Sequence, residues 1–254
     1  MDIKAELISI GNELLSGRTL NSHGQDLGAA LAAIGLELAR DTTVPDEPST
    51  IQSAVSEALE RTGLVFVSGG LGPTVDDITR DALATLFHRE IVLHRPTVEH
   101  LQDWYEKRGR KITPAGERQA LVLDQAAVLP NSVGAAPGER LDLPEGRTVF
   151  VLPGPPNEFN AILNEEILPW LRSRYADARP RLVRIVQTRG IGESDIVTLL
   201  DNDGFSPADV SLGFYPAMGR VEIRLTARPG MTGQVDRAEQ RLRRLLRDYL
   251  EEDE

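Results

Sequence analysis

Short apolar runs alternate with segments of helical periodicity through the first 170 or so residues, and this order restricts the possible folds more than any other feature. Apolar runs at 5–10, 36–39, 64–67 and 148–152 are predicted strands. Apolar residues recur at helical spacing within 21–35, 51–59 and 76–88, and again around Leu101. Strands that alternate with helices are typical of a parallel sheet with crossover helices. We therefore predict a three-layer, doubly wound, mostly parallel α/β domain over residues 1–172.

The chain changes character around residues 172–181, which are polar, include Pro180 and carry no apolar periodicity. Such a stretch is typical of a linker between domains. Beyond it, strands are predicted at 182–187, 210–215 and 221–227, with one helix at 194–200, capped by Ser194, and another at 233–250. This β-α-β-β-α order predicts a second, smaller α+β domain over residues 180–254.

Composition excludes several classes of site and partner. The chain has no cysteine, so disulfides, a thiolate nucleophile and cysteine-ligated metals are excluded and a reducing cytoplasm is expected. No apolar run reaches the length of a membrane span, and the first residues lack a signal-peptide pattern. The formal charge of -11 disfavours a broad nucleic-acid surface, although backbone amides can still bind a small anion. We expect a cytoplasmic protein that binds neither nucleic acid nor membrane.

Three glycine- or proline-rich turns each follow a predicted strand, at residues 11–17, 69–77 and 153–158. In an open parallel sheet, ligands bind beyond the carboxyl ends of the strands. We therefore expect the three turns to meet at one crevice.

The second turn contains Gly69, Gly70 and Gly72, which have no side chain to keep backbone amides away from a ligand. A helix predicted to begin near Asp76 would point its amino-terminal dipole at the same place. Together these features are suited to binding a phosphate.

The alternative for this turn is structural: Thr74 caps the helix, and Asp76 and Asp77 lie in its first turn, where they offset the dipole. The segment also lacks the Walker lysine and the G-x-G-x-x-G pattern. A P-loop NTPase and an ordinary NAD oxidoreductase are therefore disfavoured.

Acidic residues surround the same predicted crevice. Glu13, Asp76, Asp77 and Glu158 would repel a phosphate unless a divalent cation lay between the charges. A metal-assisted phosphoryl reaction is therefore one hypothesis. In the other, Glu13 and Glu158 cap or hydrogen-bond neighbouring turns.

Other polar motifs point to no established chemistry. The histidines show no H-E-x-x-H or H-x-H spacing and no G-x-S-x-G elbow occurs, so zinc hydrolysis and a serine triad are unsupported. All four are predicted to be surface or packing residues: His23, His88, His94 and His100. The segment GIGES at 190–194 is either an anion-binding loop or a tight turn with a capping serine.

Four segments together resemble the CinA (competence/damage-inducible protein A) family, whose amino-terminal domain is related to the MoaB/MogA molybdopterin-binding fold. They are GNELL at 11–15, GGLGPTVDDIT at 69–79, NSVGAAPG at 131–138 and LPGPPNE at 152–158. The similarity runs in order from residue 5 to residue 170, and residues 190–194 resemble the start of the family's KH-like domain.

The resemblance implies a metal-dependent pyrophosphatase that acts on ADP-ribose, with Mg, Mn or Co as the cation. It implies that Glu13, Asp76 and Asp77 are the catalytic and metal-binding residues. It further implies that Arg118 binds a ligand phosphate as a bidentate donor. The full set of implied substrate-binding residues is Gly11, Asn12, Gly69, Gly70, Leu71, Gly72, Thr74, Arg118, Asn131, Gly134, Pro153, Gly154, Pro156 and Glu158.

Two positions depart from the family pattern, since Gly116 stands where Asn is frequent and Ala135 stands where Thr is usual. An alternative function is a molybdopterin-binding module that carries or adenylates the pterin without hydrolysis. RNA binding is disfavoured because the second domain has no G-x-x-G loop flanked by basic residues. We expect a nucleotide or pterin as ligand, a homo-oligomeric assembly, and no carboxyl-terminal domain that deamidates nicotinamide mononucleotide.

Overall fold

The computed structural model describes residues 3–251; Met1, Asp2 and residues 252–254, which the predicted domains include, lie outside the described residues. The chain divides into two compact units, Met1–Ala178 and Arg179–Glu254. This boundary lies within the polar stretch 172–181, and the last helix of the first unit extends to Arg174. No helix among the described residues combines the length and the apolar character needed to cross a membrane.

The first unit contains eight strands and eight helices among its described residues. The strands are β1 (Lys4–Ile10), β2 (Glu37–Val44), β3 (Leu64–Ser68), β4 (Ile91–Leu93), β5 (Leu121–Leu123), β6 (Ala127–Leu129), β7 (Gly138–Asp142) and β8 (Thr148–Leu152). The helices are α1 (Asn12–Leu15), α2 (His23–Ala32), α3 (Pro48–Arg61), α4 (Thr79–Phe87), α5 (Arg95–Glu106), α6 (Pro114–Glu117), α7 (Pro156–Ile162) and α8 (Leu168–Arg174). A π-helical turn, Leu163–Ile167, joins the last two.

Six strands form the central sheet in the order β2-β1-β3-β8-β7-β6. The pairs β1–β2, β1–β3 and β3–β8 are parallel, whereas β7 is antiparallel to both of its neighbours. Since β2 and β3 lie on opposite sides of β1, the chain reverses its direction of travel across the sheet at β1. Ligands of such sheets bind at this switch point, beyond the carboxyl ends of the strands.

Helices cover both faces of the sheet. Successive side chains of a strand point to opposite faces, so Leu7 packs on one side with α2 and α7, and Ile8 packs on the other with α3. Phe66 and Phe150, both fully buried, stack within the first layer at a centroid distance of 5.1 Å. The predicted three-layer α/β class is therefore confirmed.

Two boundaries differ from the prediction. Strand β2 continues to Val44, although the apolar run ends at residue 39, because β2 lies at the edge of the sheet and its residues Arg40 and Asp41 are exposed. Helix α4 begins at Thr79 rather than near Asp76, for a reason that lies in the candidate site.

The second unit has the predicted β-α-β-β-α order. Its elements are β9 (Leu182–Arg189), α9 (Glu193–Asp203), β10 (Val210–Ala217), β11 (Arg220–Ala227) and α10 (Thr232–Leu245). The strands form an antiparallel sheet in the order β10-β11-β9, on which Ile196 and Leu242 of the helices pack. The predicted cap Ser194 is wrong, because Gly192 is the N-cap and Ser194 lies inside α9.

Candidate functional site

A cleft of about 530 Å³ lies at the carboxyl ends of β1, β3 and β8. The three turns that follow these strands form its walls, as the sequence predicts. Twelve residues predicted for the site line it: Gly11, Glu13, Gly69, Gly70, Leu71, Gly72, Asp76, Asp77, Pro153, Gly154, Pro156 and Glu158. Five predicted residues do not line it: Asn12, Thr74, Arg118, Asn131 and Gly134.

The glycine loop, residues 69–77, has a backbone that only glycine adopts readily at two positions. Gly69 and Gly70 have φ angles of 105° and 65°. A Cβ atom at Gly69 would collide with the carbonyl oxygen of Ile10, and one at Gly70 would collide with the hydroxyl of Thr79. The end of β1 and the start of α4 therefore approach the glycine loop this closely only because these residues have no side chain.

The carbonyl groups of the glycine loop bond to the start of α4. Thr79 donates from its hydroxyl to the Gly69 carbonyl at 2.8 Å and from its amide to the Gly70 carbonyl at 3.3 Å. The N–H and C=O of a trans peptide point in opposite directions. The amides of Gly70 and Leu71 therefore face away from α4, and neither makes a hydrogen bond within residues 3–251. They are two unpaired donors in residues that line the cleft.

Asp77 closes the glycine loop, and this explains why α4 starts late. Its Oδ1 accepts the Gly72 amide at 2.8 Å and its Oδ2 accepts the Thr74 amide at 2.7 Å. These bonds hold residues 72–77 in a turn, so the prediction that Asp76 and Asp77 occupy a first helical turn is wrong. Thr74 does not cap α4, whose N-cap is Ile78.

Asp76 has a different environment from Asp77. It is exposed, and its carboxylate accepts a hydrogen bond from the Thr74 hydroxyl, which lowers its pKa below the ordinary value. Within residues 3–251, the Asp76 carboxylate accepts a hydrogen bond from its own backbone amide and from no other amide of the loop. Of the two neighbours, Asp76 is therefore the carboxylate available to a ligand.

The first wall is organised by a carboxylate that the sequence did not single out. Asp46 accepts the Asn12 amide at 2.8 Å and so holds the short helix α1 in place. The exposed side chain of Glu13 folds back over Gly11, where a Cβ atom would lie 2.5 Å from its Oε1. Asn12 thus anchors α1 through its backbone without lining the cleft, while Glu13 and Asp46 line it.

The third wall depends on two predicted residues that act through Glu158. Asn131 donates from Nδ2 to Glu158 Oε2 at 2.6 Å, and a Cβ atom at Gly134 would collide with the Glu158 side chain. Burial raises the pKa of Glu158, while the hydrogen bonds from Asn131 and the Ala135 backbone lower it by less. Asn131 and Gly134 therefore position this carboxyl group and do not themselves line the cleft.

His23 lines the cleft, which its sequence spacing did not indicate. Its ring stacks on Phe159 at a centroid distance of 4.2 Å, and its Nδ1 lies 3.0 Å from Ser68 Oγ. Burial lowers the pKa of His23 more than Asp26 and the Gly154 backbone raise it, so the neutral imidazole is favoured. The packing role predicted for His23 is present in this stack, but the residue is also part of the site.

Other predicted polar residues lie away from the cleft. Arg118 is exposed and does not line it, whereas its neighbour Gln119 does. His88 is exposed at the end of α4, and His94 and His100 line a separate cavity of about 460 Å³. The structure therefore offers no contact that would place the Arg118 guanidinium on a ligand in this cleft.

The cleft is acidic. Five carboxylate residues line it, Glu13, Asp46, Asp76, Asp77 and Glu158, and among residues 3–251 no lysine or arginine does. No group of three or more His, Asp or Glu residues in the described part of the chain is arranged to hold a metal ion, so Glu13, Asp76 and Asp77 do not form a ready-made metal site. Mg²⁺ usually takes one or two carboxylates together with substrate phosphates, so its binding does not require such a group.

Comparison with known proteins identifies both units. Residues 6–173 match the family model of the probable molybdopterin binding domain, and residues 183–253 match that of the damage-inducible protein CinA KH domain.

Individual relatives agree with these matches. The chain is 36% identical over 227 residues to a putative competence-damage inducible protein of Streptococcus pyogenes serotype M4, which covers 89% of this chain and 53% of the relative. A protein of the same description from Halalkalibacterium halodurans is 34% identical over 226 residues, with the same coverage. The chain thus spans about half the length of these curated relatives.

A crystal structure of the protein CinA from Thermoplasma acidophilum is similar to part of this chain. It has 32% sequence identity and a TM-score of 0.59, and the similarity covers 66% of this chain and 98% of that one. The chain belongs to the CinA family, with a MoaB/MogA-like molybdopterin-binding-fold domain followed by a CinA KH domain.

Proposed function

We propose that the chain is a metal-dependent hydrolase of nucleotide diphosphates and that ADP-ribose is its substrate. The observation that supports this proposal is the combination in one cleft of the unpaired amides of Gly70 and Leu71 with five carboxylates and, among residues 3–251, no lysine or arginine. Such a cleft binds a diphosphate only together with a cation. This charge pattern favours a metal-dependent reaction.

The residues divide into three roles in this proposal. The Gly70 and Leu71 amides bind a phosphate oxygen and stabilise charge that develops on it. Asp76 and Glu13 hold a divalent cation. When bound, this cation would neutralise phosphate charge and lower the pKa of a water molecule. Asp77 keeps the glycine loop closed through its bonds to the Gly72 and Thr74 amides.

Glu158 is the group in this cleft best suited to move a proton. Its pKa is raised by burial, and a pKa closer to neutrality suits general acid–base catalysis. Asn131 and the Ala135 backbone both donate to this carboxyl group and hold it in place at the cleft. In the proposed reaction, water adds to one phosphorus of ADP-ribose, the bridging P–O bond breaks, and AMP and ribose 5-phosphate leave.

The test is incubation of the purified chain with ADP-ribose and Mg, Mn or Co in turn, with AMP and ribose 5-phosphate measured by chromatography. We expect product only when a metal is present, and Asp76→Asn should raise the metal concentration required. Thr226→Ala, which changes a residue of β11 in the second unit, is the control and should turn over like the parent. Folded protein that releases no product with any of the three metals would contradict the proposal.

A second candidate is a pterin-binding module without hydrolase activity. The matched family is described as a probable molybdopterin binding domain, and the Glu158 carboxylate could accept the amino and ring N–H groups of a pterin. Extraction of the purified protein followed by fluorescence and mass measurement tests this candidate. A retained pterin in a chain that leaves ADP-ribose intact would favour the binding module over the hydrolase.

A further inference from the structure

A buried ion pair lies directly behind the glycine loop. Arg80 Nε is 2.7 Å from Glu139 Oε1, and the two side chains are 8% and 0% exposed. Glu139 Oε2 accepts the amide of Leu123 at 2.7 Å. Arg80 Nη1 donates to the carbonyl of Leu71 at 3.2 Å, so the pair links β5 and β7 to the cleft wall.

Stability alone is a poor explanation for this pair. The desolvation of two charges costs much of the free energy that their attraction gains. A protein with apolar residues of similar volume in place of a buried ion pair is frequently as stable or more stable. Arg80 also leaves Nη2 buried with no hydrogen-bond partner among the described residues. An arrangement that leaves a buried donor unpaired is not optimised for stability. The remaining contact, to the Leu71 carbonyl, indicates what the pair does.

That contact completes a series along the glycine loop. Thr79 holds the carbonyls of Gly69 and Gly70, and Arg80 holds the next one, of Leu71. Asp77 holds the other end of the Leu71–Gly72 peptide, because its carboxylate accepts a hydrogen bond from the Gly72 N–H. Without Arg80 the bond to the exchangeable side chain of Asp77 would be the single anchor of this peptide, and Gly72 has no side chain to resist rotation. The Leu71 carbonyl oxygen would then face the cleft and repel an anion.

We propose that Arg80, held in place by Glu139, is the positioning residue of the glycine loop, and that it keeps the Leu71 carbonyl turned away from the anionic phosphate that the Gly70 and Leu71 amides bind. This proposal rests on the proposed function only in that the cleft takes a phosphate group. Arg80 itself does not line the cleft and acts through the Leu71 carbonyl.

The same unit contains a second arginine–glutamate pair that serves as a matched control. Arg61 contacts Glu6 at 2.8 and 2.7 Å, and Glu6 is 2% exposed. Glu6 lies near the amino-terminal end of β1, whereas the cleft lies beyond the carboxyl end of that strand. Loss of either arginine leaves a buried glutamate without its cation, but of the two arginines only Arg80 contacts the glycine loop.

The experiment measures binding of inorganic pyrophosphate in the presence of Mg by calorimetry, alongside thermal unfolding. Arg80→Met should weaken binding by about tenfold, since the loop loses a charged hydrogen bond that fixes its carbonyl. Arg61→Met should lower the melting temperature and leave pyrophosphate affinity at the parent value. Arg80→Lys should restore part of the affinity, because an ammonium group can replace only part of the guanidinium fork.

A double variant separates positioning from stability. Arg80→Met combined with Glu139→Gln removes the unpaired buried charge and keeps an oxygen for the Leu123 amide, so the melting temperature should recover relative to Arg80→Met alone. The affinity for pyrophosphate should remain low. Recovery of both properties, or an Arg80→Met variant that binds like the parent, would overturn the proposal, as would a parent chain that binds no pyrophosphate. Pyrophosphate binding without ADP-ribose turnover would contradict the proposed hydrolysis and leave the role of Arg80 standing.

Discussion

The glycine loop and the turn at residues 153–158, which form two walls of the same cleft, are held in different ways. Apart from the Gly69 amide, which donates to the Leu152 carbonyl, the glycine loop bonds to itself and to the adjacent start of α4, through Asp77, Thr79 and Arg80. The turn at 153–158 bonds to residues far away in the chain: Ser68 donates to the Pro153 carbonyl, and Asn131 donates to Glu158. One wall is therefore shaped mainly by local sequence, and the other by tertiary packing.

The largest effect should come from a glycine that the local geometry requires. Gly69→Ala should lower the free energy of unfolding by about 3 kcal/mol, because φ is positive and the new Cβ meets the carbonyl of Ile10. Urea unfolding measures this change. Gly154→Ala in the other wall is the control, since its Cβ would lie 3.5 Å from Gly69 Cα, an ordinary contact. Equal losses in the two variants would remove the distinction between the walls.

The next effect concerns the turn at residues 153–158, which long-range hydrogen bonds hold. Asn131→Ala should cost about 2 kcal/mol, because the buried Ala136 carbonyl and the half-buried Glu158 carboxyl group lose their donor. It should also raise the pKa of Glu158 further, which titration followed by carboxyl NMR would show. Ser132→Ala, which loses one exposed hydrogen bond, is the matched control and should change stability little. If Asn131→Ala is as stable as this control, the long-range bond does not shape the wall.

Within the glycine loop, substitutions of Asp76 and Asp77 should have different effects. Asp77→Asn should cost about 1 kcal/mol, because an amide group has only one oxygen to accept the Gly72 and Thr74 amides. Asp76→Asn should leave the melting temperature unchanged and alter the dependence of ADP-ribose turnover on metal. Thermal unfolding and metal titration of both variants measure the separation. The reverse pattern would show that Asp76 closes the loop.

The smallest effect is a change in how the free energy of unfolding depends on pH, and it concerns His23, which lines the same cleft. His23 has a folded pKa below its ordinary value of 6.5, so acidification protonates the unfolded chain first and destabilises the fold. The parent should therefore lose more stability than His23→Gln between about pH 8 and about pH 5. Loss of the stack on Phe159 is independent of pH and cancels in this difference. Parallel stability curves for parent and variant would contradict a buried, neutral His23.

The fold could be predicted to a large extent because its signals are periodic. Strand β8 matches the predicted run 148–152, and the order of strands and helices in the first unit follows the alternation of apolar segments. Boundaries were less predictable where side-chain bonds compete with helix formation. The apolar periodicity around Asp76 suggested a helix, but Asp77 uses its carboxylate to close a turn, and α4 begins only at Thr79.

The sequence by itself determined which turns line the cleft and which carboxylates they carry, because turn residues follow their strands and the carboxyl ends of parallel strands meet at one edge. Only the tertiary structure decided that Asp46, Ser68 and His23 belong to the cleft and that Arg118 does not. The tertiary structure also brings together Arg80 and Glu139, which lie 59 residues apart in the sequence. Contacts of this kind depend on how separate elements pack, and no local pattern encodes them.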